Sequence, residues 1–91
     1  MSRSIWKYPV SIEDEFEVQM PCGSQILSVQ VQGDQPFFWA SVEKDNDLRK
    51  RRFAVRGTGH PTDDVATSAF IGTFQLHAGQ LVFHLFDRGP V

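Results

Sequence analysis

The stretch from Phe70 to Phe86, Phe-Ile-Gly-Thr-Phe-Gln-Leu-His-Ala-Gly-Gln-Leu-Val-Phe-His-Leu-Phe, has little freedom in how it pairs with itself. It reads as two strands joined at Ala78-Gly79. A two-residue turn sets His77 against Gln80, Leu76 against Leu81 and Phe74 against Phe83. One face then carries Phe70, Phe74, Leu76, Leu81, Phe83 and Leu85. The other carries Ile71, Thr73, Gln75, His77, Gln80, Val82, His84 and Phe86. A three-residue turn pairs His77 with Leu81 and Gln75 with Phe83, mixing polar and apolar groups on both faces. A one-residue slip turns every side chain to the wrong side, so the two-residue register is expected.

Strand signals fill the rest of the chain. Ser4 to Val10 is extended, and Pro9 marks an edge or a strand end. Asp14 to Met20 alternates, with Asp14, Phe16, Val18 and Met20 on one side and Glu13, Glu15, Glu17 and Gln19 on the other. That pattern predicts a half-buried strand with an acidic outer face. Pro21-Cys22-Gly23 breaks it. Ile26 to Gln32 and Gln35 to Glu43 predict a second hairpin around Gly33-Asp34. Its core side holds Leu27, Val29, Val31, Pro36, Phe38, Ala40 and Val42, and its other side holds the glutamines with Phe37 and Trp39. Arg49 to Gly57 reads as a fifth long strand. Gly57 to Ala69 does not alternate, and Thr62-Asp63-Asp64 predicts at most one capped helical turn. The expected fold is all-β and hairpin-rich. It is an antiparallel sandwich or partly open small barrel of five to seven strands, forming a single small β domain over residues 1–91.

A chain of 91 residues buries only about 60–65% of its extended surface, so an edge-paired or face-packed homodimer would add to a thin core. Its net charge of −2 predicts no general attraction to nucleic acid or anionic membranes. A lone cysteine, Cys22, leaves no partner for an internal disulfide or a multi-cysteine metal site, which fits a reducing compartment. Neither a secretion leader nor an apolar run of about 18 residues is evident, and a cytoplasmic protein is expected.

The candidate contact residues fall into three groups. Glu13, Glu15 and Glu17 form an acidic strand face that could mimic spaced phosphates. Phe37 and Trp39 lie on a face otherwise polar, so they are either a recognition surface or are covered by a second layer. Arg49, Lys50, Arg51, Arg52 and Arg56 hold five of the nine basic residues. They read as a nucleic-acid or acidic-partner contact, or as a charged edge strand that blocks aggregation. His77 and His84 are roughly 13 Å apart in the predicted register, too far to share a metal ion. His84 falls opposite Thr73 and reads as a hydrogen-bonded structural histidine. No catalytic constellation, metal site or cofactor is expected. Gly57-Thr58-Gly59-His60 lacks the Gly-Lys-Ser/Thr ending of a phosphate loop, and no serine sits in a nucleophile elbow.

Several segments together resemble a family of small uncharacterised proteins of tailed phages and prophages. These are Ile5-Trp6-Lys7-Tyr8-Pro9, Ile26-Leu27-Ser28-Val29-Gln30, Phe38-Trp39-Ala40, Gly57-Thr58-Gly59-His60-Pro61, Ile71-Gly72-Thr73-Phe74-Gln75 and Leu81-Val82-Phe83-His84. Phe70 stands where the family pattern has Tyr. The resemblance covers most of the chain and carries no assigned activity. By analogy it implies a phage accessory protein in the host cytoplasm that binds and inhibits a host protein or defence complex, in the manner of an anti-CRISPR. A small nucleic-acid-binding β domain is the alternative, and a virion or assembly component a second one.

Overall fold

In the computed structural model, which describes residues 2–91, seven strands pack as two antiparallel sheets of a small β-sandwich. The strands are β1 (Arg3–Pro9), β2 (Glu15–Pro21), β3 (Gln25–Gln32), β4 (Gln35–Glu43), β5 (Leu48–Gly57), β6 (Ala69–Leu76) and β7 (Leu81–Pro90). One 3-10 turn, Asp63–Val65, interrupts the connection from β5 to β6. Sheet A has the order β1-β4-β3 and sheet B the order β2-β5-β7-β6. The thinnest dimension is 16 Å, room for two layers about 10 Å apart.

Alternating apolar residues on the facing sides meet between the sheets. Phe38, Phe53, Leu85, Val42 and Ala40 have no exposed surface, and Met20 and Val10 almost none. Aromatic rings run through this core from sheet to sheet. Tyr8 stacks on Phe38 at 5.1 Å, Phe38 meets Phe53 at 4.7 Å, and Phe53 stacks on Phe16 at 5.3 Å.

Near each hairpin turn the pairing follows the predicted register. Leu76 opposes Leu81 and Phe74 opposes Phe83; Val31 opposes Pro36 and Val29 opposes Phe38. Gly33 and Asp34 both have positive φ (57° and 61°), the signature of a type I′ turn, whose twist matches that of the strands. The second turn is longer than Ala78-Gly79. Positive φ begins at His77 (53°) and continues through Ala78 (54°) and Gly79 (87°), and the His77–Gln80 pair is held by one hydrogen bond from Gln80 N–H.

Farther from the turns, two bulges overturn the expected faces. Phe70 pairs with Phe86 but Gly72 pairs with Leu85, so Ile71 is an extra residue. The alternation reverses there: Ile71 packs against the core, and Phe70 turns outward beside Phe86, 57% exposed. In β3 the shift falls between Ile26 and Ser28. Ile26 takes the core position and Leu27 is left 44% exposed. Both bulged strands are sheet edges, and they pack on each other across the sandwich at Gly72 and Val29.

Two further expectations change. Strand β2 begins at Glu15, so Glu13 lies in the preceding bend, where it accepts a hydrogen bond from Ser11, and Asp14 is exposed. The basic strand β5 is not an edge, since it lies between β2 and β7. An interior strand tolerates these cations because carboxylates on both sides of it pair with them.

Candidate functional site

Strand β4 alternates without interruption from Pro36 to Val42. Its even-numbered residues fill the core, so Phe37, Trp39 and Ser41 face outward. The registers with β1 and β3 build rows across this outer face: Pro9–Phe37–Gln30, Lys7–Trp39–Ser28 and Ile5–Ser41–Gln25. No strand of sheet B lies over it, and no other element is available to form a second layer among the described residues. Of the two settings open to Phe37 and Trp39, the uncovered one is found.

The geometry of this face is specific. Phe37 and Trp39 meet edge to face with ring centroids 6.4 Å apart, and both are half-buried. Lys7 reaches back over the sheet, with its Nζ 4.3 Å from the centre of the Phe37 ring, and donates to Gln32 Oε1 at 3.2 Å. That cation holds the ring against the sheet. Arg3 also folds back, donating to the Ser41 hydroxyl and carbonyl at 3.2 Å each and pairing with Glu43 at 3.5 Å. The result is an apolar centre ringed by Gln and Ser, with Lys7 its one cation lacking a carboxylate partner among the described residues. Such a face can take an apolar side chain against Trp39 and a carboxylate against Lys7.

The charged groups singled out in the sequence are largely turned on one another. Register places Glu17 opposite Arg52, and the Arg52 guanidinium lies 3.8 Å from both Glu15 and Glu17. Arg51 grips Asp87 with two hydrogen bonds, at 3.0 and 2.6 Å, and donates a third to the Ser24 carbonyl at 2.6 Å. Arg56 is buried on the outer side of sheet B beneath the β5–β6 connection. There it donates to the Asp14 carbonyl at 2.6 Å, the Val55 carbonyl at 3.0 Å and the Asp64 carboxylate at 2.8 Å. Arg49 and Lys50 are exposed and enter no ion pair among the described residues. The basic run thus offers two free cations, and the acidic face holds Arg52 and Arg88 in its midst.

Sequence reading did not single out Arg88, which ties Glu15 at 3.1 Å to the Asp64 carbonyl at 3.0 Å. It is the extra residue where the β5–β7 register shifts, and nothing local in the sequence marks it. Asp34 was also missed as a partner of His77. The His77 N–H donates to its carboxylate at 2.8 Å, joining the two hairpin tips. His84 opposes Thr73 and sits between two hydroxyls, Thr58 and Thr73, each 2.9 Å from a ring nitrogen. Among the described residues no group of three or more His, Cys, Asp or Glu side chains could hold a metal ion. Cys22 is an exposed turn residue, and no described helix is long and apolar enough to cross a membrane.

These features define a small antiparallel β-sandwich whose sheet A has an uncovered aromatic outer face. The chain belongs to the family of a domain of unknown function (DUF7352), whose profile matches residues 1–90. No curated protein and no solved structure shows a significant match to it.

Proposed function

We propose that this protein is a phage-type accessory factor of the host cytoplasm that works by binding, engaging and inhibiting a host protein through the outer face of sheet A. The observation that carries this reading is the half-buried, uncovered edge-to-face pair of Phe37 and Trp39, set on the central strand of sheet A with Lys7 beside it. Half-buried aromatics on a preorganised surface lose little entropy on binding and give large contact area, the usual make-up of an energetic anchor. A bacterial defence complex is the partner class that the family resemblance suggests. The acidic-mimic and nucleic-acid readings have weaker support, because Glu15, Glu17, Arg51, Arg52 and Arg56 are already paired within the chain.

The test is affinity capture from host lysate with wild type, Trp39→Ala and Lys50→Glu proteins side by side. The expected result is one stoichiometric host protein, retained by Lys50→Glu and weakened at least about 30-fold by Trp39→Ala. Phage plating on that host should follow the same order. Capture that is indifferent to Trp39 but lost with Lys50→Glu and with added salt would move the site to the basic strand and overturn this reading.

A further inference from the structure

The outer face of sheet A restricts what can cover it. Strand β4 gives its backbone hydrogen bonds to β1 on one side and β3 on the other, so the face above it offers side chains only. An extended segment laid there would bury its own N–H and C=O groups without partners. A helix carries those bonds within its own segment. The width agrees: three strands span about 10 Å between their outer axes, and one helix is about 10–12 Å across. Along the strands, Phe37, Trp39 and the Ile5–Ser41 pair follow one another in steps of about 7 Å. Ile5 is left 64% exposed at the end of that stripe. Apolar residues at i, i+4 and i+8 of a helix rise in steps of about 6 Å, so three of them match the three rows.

Charge then decides the chemistry of the occupant. Lys7 stands beside the stripe, its Nζ 4.3 Å from the Phe37 ring centre, and it has no carboxylate partner among the described residues. The one carboxylate in the rows of this face, Glu43, is taken by Arg3. The face is therefore cationic, on a chain whose net charge is −2. A second copy cannot answer it, because two such faces would bury their lysines with no free carboxylate between them.

We propose that the partner segment seated on sheet A is an acidic amphipathic helix, with apolar residues at i, i+4 and i+8 over Phe37, Trp39 and Ile5 and an Asp or Glu beside them facing Lys7. Lys7 Nζ, which donates to the neutral Gln32 Oε1 in the free protein, gains a charge-assisted hydrogen bond in the complex. This inference rests on the reading of that face as the contact surface, and adds the form and the charge of what binds there.

The probe is a yeast-displayed library of random peptides of about 16 residues, roughly four helical turns, selected on the full chain and on Trp39→Ala in parallel. Binders kept by wild type and lost on Trp39→Ala should share apolar residues three or four apart with an Asp or Glu next to them. A synthetic peptide of that consensus should gain helicity on binding, read by circular dichroism. In fluorescence anisotropy, Lys7→Glu should weaken this peptide by at least about tenfold, and exchanging the peptide's acid for Lys should restore most of the loss. Lys7→Arg keeps the charge and should bind within about threefold of wild type. Trp39-dependent binders that alternate polar and apolar residues, or that carry Lys and Arg in place of acids, overturn this inference and leave the contact face standing. So does a consensus peptide indifferent to Lys7→Glu. A library that yields no Trp39-dependent binder overturns the contact-face reading, and this inference with it.

Discussion

The Tyr8 side chain is the point where this core is least satisfied. Its ring stacks on Phe38, yet its hydroxyl is buried and finds no hydrogen-bond partner among the described residues. A buried hydroxyl left unpaired costs about 1–3 kcal/mol. Tyr8→Phe keeps the stack and removes the orphan, so it should raise the unfolding free energy by about 1 kcal/mol in urea titrations at pH 7. The same burial raises the Tyr8 pKa above its ordinary value of 10.0. The folded state thus favours the neutral phenol. The stability linked to that proton is fully present below pH 10 and is lost as pH rises through the folded-state pKa. The Phe variant should show a smaller alkaline loss than wild type, and a less stable variant at neutral pH would mean the hydroxyl has a partner after all. This kind of detail cannot be read from a sequence. Tyr8 was legible as a strand residue, but whether its hydroxyl meets anything depends on the far strands. The arginines teach the same lesson. Arg51 and Arg56 look like free cations in a basic run, and their partners Asp87 and Asp64 come from separate segments.

For single elements, alternation was a sound guide up to the first irregularity and misleading beyond it. Both hairpins pair as residue types dictate next to their turns, where one hydrophobic register is available. Each then meets two adjacent apolar residues, Ile26-Leu27 or Phe70-Ile71, either of which could face the core. A bulge makes the choice and reverses everything on its far side. The one local hint was Gly72 within a strand. Its role becomes plain in space: a Cβ there would lie 2.9 Å from Val29 Cγ1 on the opposite sheet. Valine is stiff at χ1 and gives way poorly. Gly72→Ala should therefore destabilise the fold by about 1–3 kcal/mol through overpacking. Thermal unfolding of Gly72→Ala, Val29→Ala and the double variant forms a cycle that tests the cause. The double variant should be more stable than the sum of the single losses predicts, because shrinking Val29 makes room for the added methyl. Simple additivity would place the defect in the β6 backbone instead.

In the whole molecule, strand content and the two-layer fold class were legible, whereas strand order was not. The pairs β1–β4 and β2–β5 join segments with no turn between them, and the chain changes sheet between β1 and β2, β2 and β3, and β4 and β5. Local residue types hold no record of such pairings, so a charged edge strand is one open reading of the basic run, and the position of β5 inside sheet B removes it. One consequence is that Arg51 and Asp87 become a tie between parts of the molecule. Arg51 on β5 binds Asp87 on β7 and the Ser24 carbonyl at the corner where the chain leaves sheet B for sheet A. Asp87 is 8% exposed and its second task is to accept from the Gly89 N–H at 2.9 Å. Removing one member of a buried pair leaves the other charge uncompensated, at a cost of about 3 kcal/mol or more. A domain of this size has only about 5–10 kcal/mol in all. Asp87→Ala should therefore lower the melting temperature by at least roughly 12 °C. Far-ultraviolet circular dichroism and tryptophan fluorescence should lose signal together, since Trp6 and Trp39 both lie in sheet A while the lesion lies in sheet B. Replacing both partners, Arg51→Met with Asp87→Leu, should recover most of the loss, because no buried charge is then left alone. If the double variant is as unstable as Asp87→Ala, the hydrogen bonds to Ser24 and Gly89 hold this corner together, and the ion pair is secondary.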